Sequence, residues 1–337
     1  MINKQSVHHR AFELAARGGR NVASILVQEF GISRQAANVH LAQLVKAGAL
    51  EARGETRARV YHLVWREPVM HTYPRDGLSE DRVWRELFAP EVADLPENVR
   101  NIWHYGLTEM INNAIDHSDS AVVHVGMRRN ALYTQAWVAD EGVGIFRKIQ
   151  NALNLYDPRE TILELAKGKF TTDPAHHTGE GIFFSSKMFD SFDIRSSNLH
   201  FAHDDGEIDV LFEAPTGDIG TVVVMQLENN SARTEREIFD RFAMPEEYTF
   251  AKTIVPVRLA QHEGEKLVSR SQAKRLTLRF ERFEYVVLDF AGVEEIGQAF
   301  ADEVFRVFQT QHPKTMLTPA NMTPQVEAMV KRAQAPR

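Results

Sequence analysis

The chain has 337 residues, 43% of them hydrophobic and 25% charged, with no cysteine and a formal net charge of −7. That length accommodates two or three globular domains, and the lack of cysteine excludes disulfides and thiolate metal sites. No apolar run reaches the roughly 18 residues of a membrane span and no signal-peptide core is present, so a cytoplasmic location is expected.

The charge is unevenly spread. Residues 1–70 hold ten Lys+Arg against five Asp+Glu, a balance of +5 that leaves −12 for the remainder. An anionic partner is therefore expected for the first segment alone. Ala11 to Ala16 belongs to a first helix, broken at Gly18 and Gly19. Val22, Ile25, Leu26 and Phe30 recur at helical spacing until Gly31. Ser33 is suited to cap a third helix, Arg34 to Lys46, with Ala37, Leu41 and Leu44 facing inward and Gly48 as its stop. Leu50 to Leu63 reads as a hairpin turning near Gly54 and Glu55.

Three helices followed by a basic hairpin resemble a winged helix-turn-helix domain, covering residues 1–68. The resemblance implies double-stranded DNA as the partner. Arg34, Gln35, Asn38 and His40 would face outward from the recognition helix, where Arg, Gln and Asn suit base edges. Arg53, Arg57 and Arg59 in the wing would meet phosphates or the minor groove. The alternative is a small protein-interaction module with a solvated basic face.

Residues 69–98 read as a connector, punctuated by Pro74, Pro90 and Pro96 and holding one short helix from Ser79 to Phe88. A long helix from Val99 to His117 follows. In it Glu109 and Asn113 stand four residues apart and project from one face. That face could hold a divalent cation through the amide oxygen and polarise a water or hydroxyl through the carboxylate. Val122 to Met127 and Leu132 to Val138 read as paired strands, the second delivering Asp140, Gly142 and Gly144. Gly179 and Gly181 form a glycine turn that opens a helix, and Gly220 with Thr221 starts the apolar strand Val222 to Leu227.

In this order the four motifs resemble the N, G1, G2 and final Gly-Thr boxes of the GHKL ATPase superfamily, over about residues 95–230. That superfamily takes in gyrase-type topoisomerases, mismatch-repair ATPases, sensor histidine kinases and anti-sigma-factor kinases. The resemblance implies ATP and Mg²⁺ as cofactors. It makes Asp140 the acceptor for the adenine amine, with Gly142 and Gly144 bringing backbone close to the base and Thr221 supporting the carboxylate. It makes Asn113 the magnesium ligand, Glu109 the general base, and Gly179 and Gly181 the entry to a phosphate-binding helix N-terminus. The segment from about 150 to 178 would be a lid, with Lys169 able to reach the γ-phosphate. His117 commonly completes the N box; His176 and His177 read as surface, and no transition metal is assigned.

Farther on, Ile254 to Leu259, Val286 to Phe290 and Met316 with Leu317 read as strands. Gln298 to Phe308 and Val326 to Val330 read as helices. This alternation resembles a STAS-like domain of the kind found fused to GHKL modules. Some STAS proteins accept phosphate on a serine after the central strand, but Val293 to Phe300 contains neither Ser nor Thr. A docking or dimerisation role is expected there, with a protein partner.

The expected architecture is thus multidomain: an all-α winged-helix domain at 1–68, an α+β Bergerat ATP-binding sandwich at 99–235 and an α/β STAS-like domain at 250–337. The expected function is a DNA-binding regulator switched by Mg-ATP binding or slow hydrolysis, acting singly or as a homodimer. The alternative is a serine/threonine protein kinase of the anti-sigma-factor type. A topoisomerase-like clamp is disfavoured because a short STAS-like unit replaces the transducer domain. A sensor histidine kinase is disfavoured because the chain lacks room for a phosphoacceptor helical hairpin.

Overall fold

The first helices form because their apolar residues recur on one stripe, with a glycine ending the second and a serine capping the third. A computed structural model describes residues 4–55, 58–170, 179–204, 208–243, 250–261 and 265–335, without the side chains of 204–219. Helices α1 (Lys4–Ala16), α2 (Val22–Phe30) and α3 (Arg34–Lys46) precede the antiparallel pair β1 (Leu50–Arg53) and β2 (Val60–Leu63). The Ser33 hydroxyl accepts the Ala36 N–H at 3.1 Å, and Gly31 ends α2 at φ +62°. Val7, Ala11, Leu26, Leu41, Leu50 and Tyr61 make a small core separate from the rest of the chain.

The central unit is a five-stranded antiparallel sheet. Its strands are β3 (Val69–Pro74), β4 (Val122–Arg129), β5 (Tyr133–Asp140), β6 (Ser191–Asp204) and β7 (Ile208–Glu228), in the order β3-β4-β5-β7-β6. Inward residues alternate along β5, where Thr134, Ala136, Val138 and Asp140 are buried. Across that face lies α4 (Glu97–His117), which buries Ile102, Trp103, Leu107 and Met110. The helices α5 (Ile145–Leu153), α6 (Glu160–Lys167) and α7 (Gly181–Met188) follow β5 in sequence.

The stretch read as a connector does more than connect. Val69–Pro74 is the edge strand β3, paired with β4, and its proline falls at the last position, where a missing N–H costs little. Glu80–Val83 and the turns after it, through Val92, then add Val83, Phe88 and Val92 to the core. The first unit leans on this sheet: the Arg66 N–H donates to the Arg129 carbonyl at 2.8 Å, and the Arg128 guanidinium lies 4.4 Å from the Trp65 ring centre.

The last unit is a parallel sheet of β8 (Lys252–Pro256), β9 (Tyr285–Asp289) and β10 (Met316–Ala320), in the order β10-β9-β8. Its helices are α8 (Arg270–Thr277), a run from Gln298 through Gln311, and α9 (Pro324–Gln334). The first strand stops at Pro256, short of Leu259, because proline supplies no N–H to continue the ladder. Its core is continuous with that of the central unit, joined where Phe183, Phe242, Phe250 and Phe283 pack ring against ring. Among the described residues no helix is long and apolar enough to cross a membrane.

Candidate functional site

Spacing on α4 builds the first wall of a cleft of about 270 Å³. Glu109, Asn113 and His117 recur every four residues and line it together, while the opposite stripe of the helix is buried in the core. The Asn113 Nδ2 atom is buried and, among the described residues, has no hydrogen-bond partner. A buried amide atom without a partner is costly to the fold, so this one is available to a ligand that enters the cleft.

The second wall comes from the end of β5 and the part of β7 that pairs with it. Asp140, last in β5, stands directly opposite Thr221 of β7. Its carboxylate accepts the Gly142 N–H at 2.8 Å and bonds from the Thr221 N–H and hydroxyl. The Thr221 oxygen in turn accepts the Ile145 N–H at 3.0 Å. Burial raises the Asp140 pKa above its ordinary value, and these donors only partly offset the rise. The glycines around it are set by close approach. A Cβ on Gly142 would stand 1.8 Å from the Ser118 carbonyl oxygen, and one on Gly220 would stand 1.9 Å from that of Asp140.

The third wall is the glycine turn. Gly179 has φ +72°, and Gly181, the first residue of α7, lines the cleft with it, so this helix N-terminus borders the cavity. A Cβ on Gly181 would lie 1.9 Å from Glu109 Oε2, which puts the carboxylate against the first residue of α7. Nearby, Tyr105 is half-buried with its pKa raised by burial and by Glu109, Glu180 and Glu235.

Glu109, Asn113, Asp140, Gly144, Gly179, Gly181 and Thr221 therefore line one cleft. Lys169 does not join them. Its backbone turns to φ +51°, its ammonium donates to the Arg282 carbonyl at 3.2 Å, and it lies over the Phe250 and Phe283 rings. The lysine that does line the cleft is Lys148 on α5, paired with Asp119 at 2.5 Å. Sequence reasoning missed it, and also the apolar walls Met110, Ile149, Leu165, Phe183 and Val223. Lys148 stands one turn past the glycine motif, which was the available signal. His176 and His177 lie outside the described residues.

In the first unit, Arg34, Gln35, Asn38, Arg53 and Arg59 are exposed, Arg53 sharing a 3.0 Å ion pair with Glu51. Arg57 lies outside the described residues. His40 does not face outward: it is half-buried, 3.1 Å from His8 of α1. Six residues past Arg34 it has turned about 240° round the helix, onto the flank beside Ala37 and Leu41. Val39 is exposed instead.

The β/α alternation after residue 250 decides one comparison. Residues 272–327 match the STAS-like domain of unknown function (DUF4325). The match runs from the middle of α8 through β9 and β10 into α9. No curated protein matches the chain.

Proposed function

We propose that the central unit binds Mg-ATP in the cleft between α4, the end of β5, the adjoining part of β7 and the N-terminus of α7. In this reading, nucleotide binding or slow hydrolysis switches a DNA reader formed by the first unit. The observation that carries the proposal is the convergence of Asp140, Asn113 and Glu109 around one cavity, in the chain order of the GHKL boxes. An ionised Asp140 takes a proton donor such as the adenine amine, and Thr221 holds it in place. The α7 N-terminus with Gly179 and Gly181 faces phosphate.

Among the described residues no three His, Asp or Glu side chains converge as a ready-made metal site. A cation at Asn113 would complete its shell with phosphate oxygens and water, which suits Mg²⁺. When bound, Mg²⁺ would neutralise charge on the phosphates. Glu109, beside Gly181, orients the attacking hydroxyl or water and takes its proton.

The DNA-reading part rests on Arg34, Gln35, Asn38, Arg53 and Arg59 on one exposed basic unit. The Asp140–Thr221 pair closes one end of the β5–β7 ladder, and the Tyr133–Glu228 pair closes the other. There Glu228 lies 3.3 Å from His9 of α1, so the strand pair that lines the cleft also meets the first unit. A second reading, phosphoryl transfer to a protein hydroxyl, is favoured by the last unit packing against the cleft wall. It makes the STAS-like unit a docking surface for a protein partner.

Titration calorimetry with Mg-ATP tests the site. Asn113→Ala is expected to weaken Mg-ATP binding, and Glu109→Ala to keep binding while losing turnover. Normal binding by Asn113→Ala would sink the magnesium assignment. Label from γ-labelled ATP appearing in a partner protein would favour the kinase; free phosphate alone would favour the switch.

A further inference from the structure

We infer that Arg279, contributed by the STAS-like unit, is a positioning residue for the phosphate half of the cleft. The inference rests on the nucleotide reading above and adds to it a residue from outside the motif-bearing region.

Arg279 lies just after α8 with φ +67°, and its side chain is 5% exposed. Its guanidinium donates to Glu164 Oε2 at 2.9 Å, to the Gly168 carbonyl at 2.9 Å and to the Lys169 carbonyl at 2.5 Å. Arg282 adds a donor to the Lys169 carbonyl at 3.2 Å. The planar fork of arginine suits such a set of diverging acceptors, whereas a lysine ammonium on a flexible stem cannot hold them all.

What Arg279 holds is a strap, Gly168 to Phe170, with Gly168 and Phe170 themselves in the cleft wall. The strap backs the glycine turn. The Phe170 N–H donates to the Gly179 carbonyl at 3.2 Å, and a Cβ on Gly179 would lie 2.3 Å from the Phe170 oxygen. A displaced strap therefore displaces Gly179, and with it the entry to α7, where phosphate would sit. The Asp140 end of the cleft is held by Thr221, Gly142 and Ser118, and among the described residues no hydrogen bond joins it to the strap or to Arg279. The two halves of the site are thus supported from different directions. The phosphate half depends on the last unit.

The test is calorimetric titration of the full chain with Mg-ATP and, separately, with adenosine. Arg279→Met is expected to weaken Mg-ATP about tenfold, within the usual span of coupling between sites, and to leave adenosine unchanged. Arg279→Lys keeps a cation opposite Glu164 and serves if the methionine variant does not fold; it is expected to show a smaller loss, again for Mg-ATP alone. Equal losses for both ligands, or no loss for either, would overturn the inference. If the wild-type chain binds neither ligand, the nucleotide reading itself fails and takes this inference with it.

Discussion

Removing the carboxylate of Glu164 is expected to release α6 from the last unit. Glu164 Oε1 accepts from the Lys167 ammonium at 2.5 Å and Oε2 from Arg279 at 2.9 Å, with all three side chains buried. Glu164→Ala leaves two buried cations without their shared anion, a loss of about 3–5 kcal/mol when one partner of a buried pair is deleted. Lys167 retains the carbonyls of Arg275 and Leu278, and Arg279 those of Gly168 and Lys169, so the lower end of that range is expected. Burial already holds the Lys167 pKa below its ordinary value, which lets it shed its proton and limits the damage further. A loss of about 3 kcal/mol corresponds to roughly a hundredfold increase in local opening. Hydrogen exchange of the amides of residues 160–167 reads this directly. Lys167→Met, which leaves the Glu164–Arg279 pair intact, should accelerate exchange less. Unchanged exchange in Glu164→Ala would refute the docking of α6 through this triad.

Other outcomes follow from the geometry. Gly142→Ala should cost about 2–4 kcal/mol in urea unfolding, because its Cβ meets a backbone oxygen; Gly31→Ala, with open space around it but φ +62°, should cost only about 1–2 kcal/mol. The raised pKa of Asp140 means that the folded state holds its proton more tightly than the unfolded chain. Its contribution is therefore favourable below about pH 4, the unfolded value, and is lost as pH rises through the folded value. The stability of Asp140→Asn relative to wild type should accordingly grow between acid and neutral pH, and a fall would contradict the assigned burial. For duplex DNA, Arg59→Ala should lower the slope of log affinity against log salt by about one, and Arg34→Ala should change sequence preference.

The sequence was legible where local chemistry and long-range position coincide. Ser33, Gly31 and the apolar stripe of α3 mark that helix unaided, and Glu109, Asn113, Asp140 and Thr221 carry their spacing into one cleft. A side chain's direction is less legible where it depends on a distant neighbour. Lys169 has the charge to face a phosphate, but the aromatic rings of Phe250 and Phe283, about a hundred residues away, draw it to the other side. His40 needed only helix arithmetic to be placed beside α1. The edge strand β3 was hidden because a strand of six residues ending in proline reads as a linker until β4 is there to pair with it. Arg279 carries no motif; its role comes from a left-handed turn and three carbonyl or carboxylate partners more than a hundred residues earlier.

Coupling between the proposed nucleotide cleft and the proposed DNA-reading unit is read by one measurement. Affinity for duplex DNA at fixed salt, with and without saturating Mg-ATP, should differ by about fivefold or more in the wild-type chain and not at all in Asp140→Ala. Identical affinities with and without Mg-ATP in the wild type, or a shift that survives Asp140→Ala, would contradict the account.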